Sequence, residues 1–146
     1  MVKTHVPFMA ACAALVLFAG GRLWAEDHKH EEAKGPHGGE ILEIGDKEDH
    51  HLELLHDEKL GKVTLYLLAK DMKTAVAIKD APKLNLKGKN GNKQIDTKAV
   101  EAKEGSASQF EATDEALKEE PDGRIAITLA DGKKHNVNLK HEHEHK

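Results

Sequence analysis

Short runs of alternating or continuous apolar residues occupy most of the chain between residues 36 and 140. The runs cover residues 41–44, 50–56, 62–69, 75–78, 83–87, 93–103, 107–112, 124–130 and 133–140. Period-two alternation is typical of strands with one buried face, and the Gly, Pro, Asn and Asp residues between the runs indicate turns. The pattern predicts an all-β fold, a small immunoglobulin-like β-sandwich of about seven to nine short antiparallel strands.

One segment departs from this pattern. Thr113–Glu120 is polar apart from Ala116 and Leu117, and Pro121 and Gly123 follow it. Thr113 suits the capping position, so we predict a single short helical turn here. The large apolar side chains of the runs are enough for one small core, and they are Ile41, Leu42, Ile44, Leu52, Leu54, Leu55, Val63, Leu65, Leu67, Leu68, Ile78, Leu84, Leu86, Ile95, Val100, Phe110, Ile125, Ile127, Leu129, Val137 and Leu139.

The two ends of the chain have a different character. Lys3, an apolar stretch from Val6 to Ala19, the small residues Gly20 and Gly21, and Ala25 at the end indicate an export signal over residues 1–25. The apolar stretch is shorter than the ~20 residues that a membrane helix needs, although an uncleaved anchor is the alternative. We therefore expect a periplasmic or secreted protein without membrane insertion after cleavage. Residues 26–35 form a predicted disordered acidic leader, residues 36–140 the domain, and residues 141–146 a histidine and glutamate tail.

Composition excludes several functions. The only cysteine, Cys12, lies in the predicted signal, so the exported chain has neither a disulfide nor a thiolate metal site. The formal net charge is −4 and falls to −6 without the signal, which gives the protein no electrostatic reason to bind nucleic acid. The sequence has no nucleophile elbow, phosphate-binding glycine loop or zincin motif, so we expect no enzymatic activity.

Histidine is the residue type in excess, with eleven in the chain and ten after residue 25. Four of them lie in residues 36–57 (PHGGEILEIGDKEDHHLELLHD), which predict a β-hairpin that pairs Ile44 with His50 and Leu42 with Leu52. If Leu52 faces the core, His51 and Glu53 share the outer face and could hold one divalent ion.

Continued outward, the same hairpin register places His37, His56 and Asp57 together at its open end. His50 lies near the turn and is the weakest candidate ligand, and the sequence offers no partner for His135.

Further histidines lie in the two polar termini. The leader carries His28 and His30, and the tail carries His141, His143 and His145, which share one face if the tail is extended. The leader is either a solvated segment or a metal-catching arm. The tail is either a frayed solvated end, a remnant of cloning or a loose metal buffer.

Imidazole with carboxylate and without thiolate favours Zn²⁺, Cu²⁺ or Ni²⁺. The protein should release its metal ion as the pH drops through about 6, because imidazole binds metal only when neutral.

The PHGG sequence followed by HHLELLHD resembles a family of small exported bacterial proteins of unassigned function over about residues 36–140. The hairpin alone is similar to histidine-rich segments that accompany periplasmic adaptor subunits of heavy-metal efflux systems. These resemblances imply a role in periplasmic metal handling through His37, His51 and Glu53, with an efflux or envelope protein as a partner. The chain is also loosely similar to periplasmic copper-carrier sandwiches, but it lacks their methionine-rich loops.

The sequence thus predicts a non-catalytic buffer, scavenger or carrier of transition metal ions. The alternative is a structural or interaction module of the cell envelope.

Overall fold

The fold consists of short strands. The computed structural model describes residues 34–88 and 91–139, and these contain nine strands and one 3₁₀ turn. In chain order the strands are β1 Glu40–Ile44, β2 His50–Asp57, β3 Lys62–Ala69, β4 Lys83–Gly88, β5 Gly91–Asp96, β6 Lys98–Val100, β7 Gln109–Thr113, β8 Gly123–Thr128 and β9 Lys134–Asn138. The 3₁₀ turn is Glu115–Lys118.

The strands form two antiparallel sheets. The first sheet has the order β1-β2-β3-β7-β6, and the second has the order β5-β4-β8-β9. The all-β prediction with seven to nine antiparallel strands is confirmed. The immunoglobulin-like assignment stays a prediction.

The opening hairpin has the predicted register. Ile44 lies opposite His50 and Leu42 opposite Leu52. The folded part also begins earlier than expected, because Lys34 forms an isolated bridge with Glu40. Residues 34 and 35, which the sequence analysis assigned to a disordered leader, therefore belong to the structured part.

One apolar cluster joins the two sheets. It contains nearly all of the predicted core residues and adds Ala107, Ala112 and Leu117. Ile41, Leu55 and Val100 are only partly buried, because strand alternation directs them to the outer face of the first sheet. The core is thus built from the inward-facing residues of both sheets, as the alternation requires.

Two predicted elements differ from the observed ones. The helical segment is reduced to the 3₁₀ turn, and its cap is Asp114, whose Oδ1 accepts a hydrogen bond from the Ala116 N–H at 2.9 Å. Thr113 instead ends β7. Residues 75–78 form no strand, because Ala75 bridges Leu68 whereas Ile78 bridges Ala107. The segment passes from one partner to another without staying beside either.

The predicted strand at residues 93–103 divides at Thr97. β5 belongs to the second sheet and β6 to the first, so the chain changes sheets at this single residue. Thr97 is buried, and both its Oγ1 (2.6 Å) and its N–H (3.3 Å) donate to the carbonyl oxygen of Pro82. These bonds hold the crossing against the start of β4.

Candidate functional site

Glu53, in the middle of β2, is the organising residue of the candidate site. Alternation places Leu52 and Leu54 in the core and Glu53 on the opposite face of the first sheet, where it is nevertheless fully buried, with 0% exposure. A buried carboxylate is costly unless it is hydrogen-bonded. Oε1 accepts from the N–H groups of His37 (2.7 Å) and Gly39 (3.0 Å), and Oε2 lies 2.7 Å from His37 Nδ1.

The residues above Glu53 form a tight turn over Gly35–Gly39, which we call the PHGG turn. The Gly35 N–H donates to the carbonyl of Gly39 at 2.8 Å, and the Gly38 N–H donates to that of Gly35 at 3.0 Å. A Cβ at Gly35 would overlap the Glu53 carboxyl group, and one at Gly39 would lie 2.5 Å from the Leu54 carbonyl oxygen. Glycine at these two positions allows the turn to rest directly on the strand.

The imidazole of His37 is held in one orientation. It stacks on the ring of Tyr66, with centroids 3.7 Å apart and planes 6° apart, and Tyr66 is the β3 neighbour of Glu53. Because Glu53 already accepts from two backbone N–H groups of the same turn, we assign the proton of the third contact to His37 Nδ1, which then donates to the carboxyl group. Nε2 has no hydrogen-bond partner among residues 34–88 and 91–139, and the side chain is 42% exposed. The arrangement presents an oriented ring nitrogen to solvent.

His51 and Glu53 share the outer face, as predicted, but they do not form an open pair. Glu53 directs both oxygens to the PHGG turn, whereas His51 is 6% exposed and its Nδ1 lies 3.4 Å from the carbonyl oxygen of Ala69. Both side chains are buried on this face, and the PHGG turn folds back over Glu53. The two side chains therefore have separate partners.

The predicted cluster of His37, His56 and Asp57 is not formed. His56 projects from the face of β2 that carries Leu52 and Leu54, and its Nε2 donates to the Leu117 carbonyl at 2.6 Å. Asp57 Oδ1 accepts from the Leu60 N–H at 3.1 Å within the β2–β3 turn. The expected register fails because β1 begins only at Glu40, so the residues before it do not extend the hairpin.

The remaining predicted ligands lie outside the described residues. They are His28 and His30 of the leader and His141, His143 and His145 of the tail, and the predicted export signal also lies there. Within residues 34–88 and 91–139, no group of three His, Cys, Asp or Glu side chains is arranged to hold a metal ion. A metal site that uses His37 would need ligands from elsewhere.

Sequence reasoning missed a second pair of histidines. His50 and His135 line one cavity of about 230 Å³, where the β1–β2 turn meets the β8–β9 turn, and the His135 ring packs against Gly45. Asp131 lines the same cavity. Hydrogen bonds from the Lys133 backbone and side chain lower the pKa of its carboxyl group, and nearby His135 acts in the same direction. The sequence could not place these turns at one end of the molecule without the strand order.

The pairing of His37 with Glu53 was also missed, although the sequence carried a signal for it. Glycines at positions 35, 38 and 39 indicate a chain that reverses tightly and approaches its neighbour closely, whereas we expected a straight continuation of the hairpin.

Comparison with known proteins identifies no relative. No family model matches the chain, and no curated protein or solved structure matches it either. In the part of the chain that the structure describes, no helix has the length and apolarity needed to cross a membrane. The resemblance to exported PHGG proteins stays a prediction.

Proposed function

We propose that the protein binds a divalent transition metal ion, Zn²⁺, Cu²⁺ or Ni²⁺, through Nε2 of His37, and that it buffers or carries this ion in the periplasm or outside the cell. The observation that carries the proposal is the 2.7 Å contact between His37 Nδ1 and the buried Glu53 carboxylate. Metal-ligating histidines almost always donate their second ring N–H to a carboxylate, carbonyl or water, which fixes the tautomer and raises the basicity of the ligating nitrogen.

The geometry around His37 supports this assignment in two further ways. Stacking on Tyr66 limits rotation of the imidazole, so little freedom is left to lose when an ion binds. The 42% exposure of the side chain gives an ion access from solvent. A buried carboxylate beneath an exposed imidazole therefore provides one preorganised ligand.

The other ligands of the proposed site come from the histidine-rich ends. His28 and His30 precede His37 closely in sequence, and the tail supplies His141, His143 and His145. A site with one fixed imidazole and several ligands from polar segments suits reversible binding, in contrast to the closed four-ligand geometry of structural zinc sites. This composition favours a buffer, scavenger or carrier over a permanent metal centre.

A second candidate function is a non-catalytic structural or interaction module of the cell envelope. The observation that favours it is the full use of Glu53 within the fold, since this carboxylate accepts two backbone N–H groups and one ring N–H of the PHGG turn. On this alternative the His37–Glu53 pair only fastens the turn to the sheet.

The two functions can be separated by the tyrosine signal. Tyr66 is the only tyrosine of the chain, and it is stacked on His37, so Cu²⁺ bound at Nε2 should quench its fluorescence. Titration with Cu²⁺ is compared among the wild type, His37→Ala and Glu53→Gln. A glutamine at position 53 can turn its NH₂ group toward Nδ1, which favours the tautomer protonated at Nε2. We expect the Cu²⁺ concentration at half-maximal quenching to rise about 10- to 100-fold in Glu53→Gln, which is the usual effect of losing the hydrogen-bond partner of a metal-binding histidine.

Matched controls complete the test. His135→Ala removes a partly buried histidine away from Glu53 and should leave the quenching midpoint unchanged. A variant with alanine in place of His141, His143 and His145 shows how much of the Cu²⁺ binding the tail contributes. If His37→Ala and Glu53→Gln both quench like the wild type, the metal proposal fails and the structural module is favoured.

A further inference from the structure

The outer face of the second sheet is polar and shows a regular row of side chains. Gln94, Asn85, Arg124 and Asn138 are successive cross-strand neighbours on β5, β4, β8 and β9. Inward-facing Leu84, Ile125 and Val137 alternate with them, so the four polar residues share the outward face. Neighbouring strands are about 4.7–4.9 Å apart, so the row presents one hydrogen-bonding group at each such step across the sheet.

The charge along this row differs from that of the whole protein. The chain has a net charge of −4, yet Arg124 belongs to the row and Lys87 lies beside it, and neither has an ion-pair partner in the described ranges 34–88 and 91–139. A shallow cavity of about 430 Å³ covers the row and Lys87, and no carboxylate lines it. Each of four other cavities in the same ranges has at least one Asp or Glu in its lining.

We propose that this row binds an acidic polysaccharide whose chain lies across the strands. Guanidinium and ammonium groups pair with carboxylates, and carboxamides can both donate to and accept from sugar hydroxyl groups. The strand spacing is comparable to the length of one sugar ring, so successive sugars of an extended chain can meet successive strands.

Other classes of partner fit less well. Single-stranded nucleic acid would call for aromatic side chains on which bases stack, and the row has none. An apolar peptide would call for exposed apolar side chains, which the row also lacks. An anionic membrane surface would call for a cluster of about four to eight Lys or Arg side chains, whereas Arg124 of the row and Lys87 beside it are two.

The test uses the protein expressed with its own export signal and purified as the cell makes it. Native electrophoresis is run through gels that contain alginate, with neutral dextran as the uncharged comparison. We expect alginate to retard the protein, dextran to leave its mobility unchanged, and added salt to reduce the retardation. Arg124→Gln should weaken binding about tenfold, because it removes a charge-assisted contact, and Asn138→Ala should weaken it about fivefold.

Lys98→Gln is the matched control, because Lys98 is exposed on the first sheet and its loss changes the net charge by the same amount as Arg124→Gln. An unchanged affinity in Lys98→Gln together with the loss in Arg124→Gln would support the row. The proposal is overturned if alginate gives no retardation, if Lys98→Gln weakens binding as much as Arg124→Gln, or if DNA competes better than alginate oligomers. The His37→Ala variant should bind alginate normally, so this result is independent of the proposed metal site.

Discussion

Replacing Glu53 by alanine is the sharpest test of the contact between the PHGG turn and the first sheet. The substitution removes the acceptor for three hydrogen bonds from His37 and Gly39. The Gly39 N–H is buried, and a buried donor without a partner costs about 1–3 kcal/mol. The two donors of His37 can reach water, so each accounts for about 0.5–1 kcal/mol.

Two further contributions have opposite signs. Loss of one buried methylene group, Cγ, costs about 0.8 kcal/mol. Removal of a fully buried charge offsets part of the total, because its desolvation penalty disappears. We therefore expect Glu53→Ala to lower the free energy of unfolding by about 3 kcal/mol and Tm by about 10 °C.

Urea and thermal unfolding measure this change, and Glu53→Gln is the matched control. Glutamine keeps a side-chain oxygen for the two backbone N–H groups, so its loss should be only about 1 kcal/mol. Hydrogen exchange at the Gly39 amide should accelerate in Glu53→Ala and remain slow in Glu53→Gln. A loss below about 1 kcal/mol in Glu53→Ala, or equal losses in the two variants, would refute the reasoning that these hydrogen bonds hold the turn.

Five other substitutions probe three separate features. Gly39→Ala places a Cβ against a β2 carbonyl, so it should lower the free energy of unfolding in urea by about 1–3 kcal/mol. The Cβ of Gly38→Ala would meet no atom, so this variant should lose only the ~1 kcal/mol that a left-handed backbone costs. Equal losses in the two variants would contradict the close approach of Gly39 to β2. Thr97→Val should lower the free energy of unfolding by about 1 kcal/mol, because it removes the hydroxyl that donates to Pro82, and Thr97→Ser should lower it less. Identical stabilities of the two variants would show that this hydrogen bond does not contribute. The pKa of Asp71 is lowered to about 2, first by the hydroxyl of Thr74 and then by backbone N–H groups. The ionised carboxylate therefore stabilises this turn at pH values above the ordinary pKa of 3.8, and the stabilisation is lost as the pH falls toward 2. In an NMR titration Thr74→Val should move the midpoint of Asp71 back toward 3.8, and an unmoved midpoint would contradict the assignment.

Much of the fold follows from local patterns. Alternation in residues 41–44 and 50–56 predicts both the hairpin register and the face that enters the core, because a slip by one residue would move Leu52 to the opposite face of the sheet and turn the charged Glu53 toward the apolar core. The sequence could not show that Thr97 divides one apparent strand between two sheets. That division depends on a hydrogen bond to Pro82, which is distant in sequence.

The candidate site was predicted less well than the fold, and Glu53 shows why. Its position on the outward face follows from alternation, but its burial depends on a turn that folds back over it. The same turn withdrew His37 from His56 and gave it a carboxylate partner. Period-two alternation predicts which side chains share a face of a sheet. It does not predict a turn that folds back over that face, and in this sequence the glycines are the signal for such a turn, because they allow the backbone to approach a strand closely.

The crossing at Thr97 has a consequence for how the molecule unfolds. The chain passes from the first sheet to the second after β3, returns at Thr97 between β5 and β6, and passes back after β7. A single linking residue leaves no slack, so β5 cannot separate from its sheet without pulling β6 from the other. We therefore expect the two sheets to lose their structure in one cooperative transition, and a pulling force applied across them should meet a single mechanical barrier.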